Sequence, residues 1–281
     1  MRVSSPSPPI ASVRFLNASR RGTPEVESLP ILVARVDALP EGLAALIAAA
    51  DLQGIVPDWS DGGRPRLLGE ELADTYLALA EEGLVPPAEA TGVLLAGDLY
   101  SAPDASERGA SGDVRAVWAA FASAFRWVAG VAGNHDRFGS AREQARFGSQ
   151  PAVHLLDGQV AALDGLRVGG VGLIAGNPAK QGRRSERDQL DLVEMVLASR
   201  PDILVLHEGP SGAAEQRGSA GIRDELLKQP PTLTVCGHCH WRQPLLQLTH
   251  DAQVLNVDGR AVVLTAERMV QDPEHGREPA V

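Results

Sequence analysis

The chain has 281 residues, of which 44% are hydrophobic and 22% charged, and it carries a formal net charge of −10 at pH 7. This length and apolar content predict one domain with elaborated loops around a large core. The acidic balance disfavours broad electrostatic attraction to nucleic acid or to anionic membranes, and it favours a small-molecule partner.

The hydrophobic runs are short. The longest, residues 43–50, falls far below the roughly 20 apolar residues that cross a bilayer, so no membrane association is expected. The N-terminal sequence is rich in serine and proline and lacks the apolar centre of a secretory signal, which predicts a cytoplasmic location.

Apolar spacing divides the chain into short strands and amphipathic helices. Apolar residues at helical spacing indicate helices, short apolar runs indicate strands, and Asp-Gly pairs indicate turns between strands. In chain order they predict a strand at 44–50, a helix at 67–82, a strand at 92–96, a helix at 113–125, strands at 127–132, 152–156, 159–163 and 166–173, a helix at 185–198, a strand at 202–206, a helix at 222–228, a strand at 232–236 and hairpin strands within 245–265.

The alternation of strands and helices, followed by hairpins, indicates an α/β fold with two mixed sheets flanked by helices. Both ends are polar and lack sustained periodicity. We therefore expect residues 1–28 to be a loosely ordered N-terminal segment and residues 271–281 to be a polar tail, around a domain of residues 29–270.

Five polar clusters follow predicted strands directly. They are Asp51-Leu52-Gln53, Gly97-Asp98, Gly133-Asn134-His135-Asp136, His207 and Gly237-His238-Cys239-His240. Ligands of open α/β sheets bind in the crevice beyond the carboxyl ends of the strands, so the five clusters are expected to converge. Long loops at 54–66, 101–112 and 208–220 follow three of them, which fits loops around the mouth of a site and equally fits ordinary surface connections.

The clusters contain the donors of a two-metal hydrolytic site, in which one carboxylate is shared between two ions. The predicted first site takes Asp51, Gln53, Asp98 and His240, and the second takes Asp98, Asn134, His207 and His238. His135 is predicted to donate a proton to the leaving oxygen, with Asp136 holding its tautomer. Substrate contacts are expected from Asn134, His135 and Arg137.

The order of these motifs resembles the calcineurin-like metallophosphoesterase superfamily, whose motifs read D-x-H, G-D, G-N-H-D or G-N-H-E, H and G-H-x-H. The resemblance spans about residues 44–266. It implies a four-layer αββα sandwich, and hydrolysis of phosphomonoesters or phosphodiesters by a hydroxide bound to two divalent metal ions.

Gln53 departs from the family pattern, because it stands where the first motif has histidine. An amide oxygen is a harder and weaker ligand than imidazole, which favours Mn²⁺, with iron, zinc or magnesium as alternatives. Glutamine here also resembles the branch that cleaves nucleoside-diphosphate-linked substrates such as ADP-ribose. A nucleotide-like phosphodiester or diphosphate is the expected substrate, followed by a phosphomonoester.

Three alternatives stay open at this level. A substituted first motif is compatible with a scaffold that kept the fold and lost turnover, and the same superfamily includes DNA and RNA nucleases. The only two cysteines lie in Cys236-Gly237-His238-Cys239, which matches the dithiol motif of disulfide isomerases. That motif opens a helix early in a thioredoxin domain, whereas here it ends a strand late in the chain, which argues against redox chemistry.

Overall fold

A computed structural model describes residues 1–19, 22–57 and 64–266. The strands are β1 (Ala11–Ala18), β2 (Pro24–Val36), β3 (Ala45–Ala50), β4 (Ile55–Val56), β5 (Arg66–Leu67), β6 (Thr91–Leu95), β7 (Gly112–Asp113), β8 (Trp127–Gly130), β9 (Asp136–Arg137), β10 (Val153–Leu155), β11 (Gln159–Leu163), β12 (Leu166–Val171), β13 (Ile174–Ala175), β14 (Arg183–Arg184), β15 (Ile203–Glu208), β16 (Leu233–Gly237), β17 (Leu245–Gln247), β18 (Gln253–Asn256) and β19 (Arg260–Ala266). The helices are α1 (Leu68–Glu81), α2 (Arg115–Ala124), α3 (Ala141–Gly148), α4 (Glu186–Ala198) and α5 (Ala220–Lys228), with a 3₁₀ turn at Ala88–Ala90.

Two mixed sheets carry the fold. The first has the order β10-β8-β6-β3-β19-β2-β1-β4-β5, and the second has the order β11-β12-β15-β16-β18-β17. Strands β10, β8, β6 and β3 run parallel in the first sheet, as do β12, β15, β16 and β18 in the second. Each parallel block places several strand ends at one edge, which is where the polar clusters lie.

The strand β3 shows how the sequence builds the layers. All six of its residues are buried, as expected for a strand covered on both faces. Successive side chains alternate, so that Ile47 packs with helices α1 and α2, whereas Leu46 packs against the second sheet. A third apolar cluster joins the far face of the second sheet to α4 and α5. The predicted four-layer αββα sandwich is confirmed.

Serine caps begin three of the helices. Ser140, Ser185 and Ser219 each accept a hydrogen bond from the backbone N–H three residues later, which satisfies a donor that the helix leaves unpaired. Helix α3 was not among the predicted helices. Its one buried residue is Phe147, so an apolar stripe is missing from its sequence.

The expectation of a loosely ordered N-terminal segment is wrong for residues 11–18 and 24–28. Strands β1 and β2 form an antiparallel hairpin, and β2 also pairs in parallel with β19. The hairpin is ordered because alternate residues, including Phe15 and Leu29, are buried in the first core cluster while the intervening residues face outward. The predicted tail, residues 271–281, lies outside the described residues.

None of the helices in the described parts of the chain is long and apolar enough to cross a membrane.

Helix α5 offers a matched test of the third core layer. Leu226 is fully buried and its neighbour Leu227 is 44% exposed. We expect Leu226→Ala to lower the free energy of unfolding by about 2–5 kcal/mol, because it leaves a cavity between α5 and the second sheet. Leu227→Ala should change it by less than about 0.5 kcal/mol. Urea unfolding followed by circular dichroism measures both, and equal effects would contradict the assigned packing.

Candidate metal centre

The polar clusters from both sheets meet at one place. Asp51, Asp98 and Asn134 come from the loops after β3, β6 and β8 of the first sheet, whereas His207 lies in β15 and His238 follows β16 of the second sheet. The site therefore lies where the carboxyl ends of the two parallel blocks adjoin, as the strand-end placement predicts.

Asp98, His207 and His238 form its centre. Their candidate ligand atoms lie within 4.8 Å of one another. Asp98 Oδ2 is 3.5 Å from His207 Nε2, and Asn134 Oδ1 is 3.2 Å from the same nitrogen. The predicted second site is thus brought together, with two imidazoles, a carboxylate and an amide facing a common point.

The ring of His207 has a defined orientation. Its Nδ1 lies 2.7 Å from the carbonyl oxygen of Ala96 and donates to it, which directs Nε2–H toward Asp98. Burial alone would lower the pKa of His207, but the carboxylates of Asp98 and Asp51 and the bond to Ala96 raise it to about 10. A cation that binds Nε2 has to displace this proton, so metal binding is coupled to proton release.

His238 has the opposite electrostatic setting. Burial and the neighbouring charge of His207 lower the pKa of His238 to about 4. The two ring centroids are 5.1 Å apart. His238 is therefore neutral at pH 7, and a neutral imidazole can coordinate a metal without first losing a proton.

Three of the seven non-glycine residues with positive φ in the described chain lie at the site. Asp51, Asp98 and His238 have φ values of 54°, 56° and 65°, in a region that side-chain-bearing residues seldom adopt. Such conformations cost about 1–3 kcal/mol each and persist where the surroundings enforce them. The backbone of two glycines approaches these residues closely and helps to hold their conformations. A Cβ on Gly133 would lie 2.1 Å from Asp98 Oδ1, and one on Gly237 would lie 2.3 Å from Asp51 Oδ2.

Asp136 holds these loops together. Its carboxylate accepts backbone N–H bonds from Asp98 at 2.9 Å, Leu99 at 2.8 Å and Gly133 at 2.8 Å. The predicted role, holding the tautomer of His135, is wrong, because these three bonds point the carboxylate at the loop backbones. Burial and the charge of Asp98 raise the pKa of Asp136 to about 6.

His135 lies over the centre and lines the adjoining cavity. Its backbone N–H donates to Asp98 Oδ1 at 2.8 Å, and its Nδ1 lies 3.1 Å from Ser111 Oγ. Gly109 passes the ring so closely that a Cβ there would be 3.2 Å from Cε1. Ser111 was not predicted as a site residue. It contacts the His135 ring at Nδ1, the position predicted for Asp136.

The predicted first site is only partly assembled. Asp51 Oδ2 accepts the backbone N–H of His238 at 2.9 Å, and Gln53 Nε2 lies 3.3 Å from Asp98 Oδ2. The ring of His240 is occupied elsewhere: its Nδ1 is 3.2 Å from the carbonyl oxygen of Asp258, and its Nε2 is 3.1 Å from Arg260 Nη2.

Above the centre lies a cavity of about 520 Å³. It is lined by Phe15, Asn17, Glu27, Ser28, Leu29, Asp51, Gln53, Asp98, Arg108, Gly109, His135, His238, His240, Asp258 and Gly259. Asp258 was missed, although it follows β18 and obeys the same strand-end rule as the other clusters. Arg137 does not belong to this lining. Its guanidinium donates to Gln181 at 2.8 Å, and Arg108 supplies the guanidinium of the described cavity instead.

The donors fit divalent cations. Burial, and then the negative charges of Asp258 and Asp98, hold the pKa of Asp51 well above its usual range. Buried carboxylates that repel one another are stabilised by a cation between them, and mixed oxygen and imidazole sets suit Mn²⁺, Fe²⁺ and Zn²⁺. The residues present are therefore suited to hold metal.

Removing the charge of Asp136 should disorganise the site without removing a ligand. We expect Asp136→Asn to lower the free energy of unfolding by about 3 kcal/mol, because an amide replaces one acceptor oxygen by a donor that faces backbone N–H groups. It should also weaken Mn²⁺ binding. Exposed Asp104→Asn is the control, and thermal unfolding with and without Mn²⁺ is the measurement. Unchanged metal-induced stabilisation in Asp136→Asn would contradict this role.

Solved structures that resemble this one are only distantly similar in sequence. The structure of TT1561 of Thermus thermophilus is 16% identical, with a TM-score of 0.51 over 76% of this chain and 88% of that one. The phosphopantetheinyl hydrolase PptH of Mycobacterium tuberculosis is 14% identical, with a TM-score of 0.48 over 77% of this chain and 90% of that one. No curated protein matches the chain significantly.

A family model decides the assignment. The model described as calcineurin-like phosphoesterase matches residues 46–242, which contain the five clusters. That range is most of the chain, and the predicted resemblance is confirmed. With its convergent donors, the chain belongs to the calcineurin-like phosphoesterase family, as a metal-dependent hydrolase that acts on phosphoric esters.

Proposed function

We propose that the protein hydrolyses a phosphodiester or diphosphate in a nucleotide-like small molecule, and phosphomonoesters less well, with two divalent cations that are preferably Mn²⁺. The convergence of Asp98, His207 and His238 beneath an open cavity carries this proposal. Oxygen-rich donor sets favour Mn²⁺ over softer metals, and Gln53 adds an oxygen where the family has imidazole.

The two ions would have different surroundings. Asp98, Asn134, His207 and His238 would hold one ion. Asp51, Gln53 and Asp98 would hold the other, and His240 would join them only when Arg260 releases its Nε2. When bound, such a pair of cations lowers the pKa of a water and neutralises charge on phosphate oxygens.

His135 is positioned to transfer a proton at the cavity. Ser111 Oγ lies 3.1 Å from its Nδ1, and Gly109 passes close to the ring. Protonated at Nε2, the ring can deliver that proton to the oxygen that leaves phosphorus, which is general-acid catalysis. This role, like contact of Asn134 with substrate, is inferred from position.

Arg108 supports an anionic substrate. Within the described chain it makes no hydrogen bond or ion pair, although four carboxylates, Glu27, Asp51, Asp98 and Asp258, line the same cavity. A guanidinium binds phosphate oxygens with charge-assisted hydrogen bonds. One such group in an acidic cavity suits a small phosphorylated molecule and does not form the basic groove that a nuclease uses.

The proposal predicts Mn²⁺-dependent hydrolysis of bis(p-nitrophenyl) phosphate. Asp98→Ala should abolish activity and metal binding together, because Asp98 is the carboxylate common to both ions. His135→Ala should retain bound metal and lose about 100-fold or more in kcat, the range expected for a lost general acid. Release of p-nitrophenol and metal content by mass spectrometry are the measurements.

The control for these variants is His250→Ala, since that ring is 89% exposed and hydrogen-bonds only to neighbouring Asp251 within the described chain. Full activity in Asp98→Ala would refute the proposal. Absence of both metal and hydrolysis in the unaltered protein, under every divalent ion, would favour the scaffold alternative.

The side chain at position 53 is expected to set how tightly the first site binds metal. Gln53→His restores the imidazole of the family motif, and we expect it to bind Zn²⁺ about tenfold more tightly, or by about 1.4 kcal/mol. The control is Gln150→His at an exposed position, which should not change the affinity for either ion. Isothermal titration of Zn²⁺ and Mn²⁺ measures both, and an unchanged Zn²⁺ affinity in Gln53→His would exclude position 53 from the metal site.

A further inference from the structure

The N-terminal hairpin forms one wall of the active-site cavity. Strands β1 and β2 precede residue 46, where the family match begins, so this wall is an addition to the matched region. It contributes Phe15, Asn17, Glu27, Ser28 and Leu29 to the lining.

The wall is fixed rigidly to the first metal motif. Leu16 of β1 pairs with Ile55 of β4, two residues after Gln53. The ring of Phe15 lies against Gly54, where an added Cβ would be 2.1 Å from Cδ2. The position of the hairpin side chains relative to the metal centre is therefore set by backbone pairing and by ring packing.

The exposed part of the wall presents hydrogen-bonding groups. Glu27 Oε2 accepts from Asn17 Nδ2 at 3.3 Å, and the Oδ1 of Asn17 accepts the backbone N–H of Ala18 at 2.8 Å. Glu27 Oε1 and the hydroxyl of Ser28 have no hydrogen-bond partner among the described residues. A carboxylate with free lone pairs favours a ligand that carries hydroxyl donors.

The cavity lining combines several carboxylates with one guanidinium. Glu27 on the hairpin and Asp258 after β18 repel a second phosphate or a carboxylate, whereas Arg108 attracts one from the loop that passes His135. A substrate group beside Glu27 is therefore not anionic, whereas Arg108 and bound cations would attract the anionic group.

We propose that Glu27 binds a vicinal diol of the substrate, such as the 2′- and 3′-hydroxyls of a ribose, and that the hairpin selects ribose-containing phosphoric esters. A carboxylate accepts two neighbouring hydroxyls with its two oxygens, which is the recognition used for the ribose of dinucleotides. This inference rests on the proposed phosphoesterase function and narrows its substrate class.

The test compares two chromogenic esters in the presence of Mn²⁺, the p-nitrophenyl ester of uridine 5′-phosphate and that of 2′,3′-dideoxyuridine 5′-phosphate. We expect the unaltered protein to prefer the ribose ester by about tenfold in kcat/KM, mainly through KM, because hydrogen bonds to a charged group are lost with the diol. Glu27→Ala should reduce this ratio to about one.

Glu25→Ala is the matched control, because Glu25 lies on the same face of β2 one repeat further from the cavity and does not line it. It should keep the full ribose preference. Equal hydrolysis of both esters by the unaltered protein, or an undiminished preference in Glu27→Ala, would overturn the role of the hairpin alone. Failure of the unaltered protein to hydrolyse either ester would contradict the phosphoesterase proposal and this inference together.

Discussion

The three hydrogen bonds that the buried Asp136 carboxylate accepts hold the site in its observed geometry. They tie the loop after β6, which carries Asp98, to the loop after β8, which carries Asn134 and His135. Without this tie, the left-handed backbone of Asp98 would relax, because such a conformation persists only where its surroundings enforce it. A residue outside the proposed ligand set thus sets the geometry of the residues within it.

The second requirement is that the two sheets approach closely at their carboxyl ends. The core between them consists of alternate residues of both sheets, with alanine at Ala48 and Ala50 of β3. Small side chains there, and the absence of one at Gly237, let His238 reach the carboxylates of the first sheet. The metal centre is consequently a property of the sheet interface, and the apolar packing between the sheets stabilises the arrangement of its donors.

The lining of the cavity above this centre combines carboxylates with one guanidinium, and this combination connects the site to its proposed substrate. Buried carboxylates make the floor suited to cations, and Arg108 is the guanidinium available in the described lining. The hairpin side carries Glu27 and polar groups with free hydrogen-bonding capacity. A phosphoric ester with a hydroxylated substituent is complementary to this lining, because its charge can face Arg108 and the cation site while its hydroxyl groups face Glu27.

The fold class, the strands that end at the site and the convergence of Asp98, His207 and His238 could all be predicted from the sequence, since apolar runs and the polar residues after them are local patterns that packing preserved. The roles of Asp136, Ser111, Arg108 and Asp258 could not, because each depends on which group of a distant loop lies beside it. The hairpin was missed for a related reason: its polar, proline-containing sequence becomes ordered only when β2 pairs with β19, more than 200 residues later. Only the tertiary structure shows which donors face the cavity, because hydrogen-bond partners far apart in sequence leave no periodic signal.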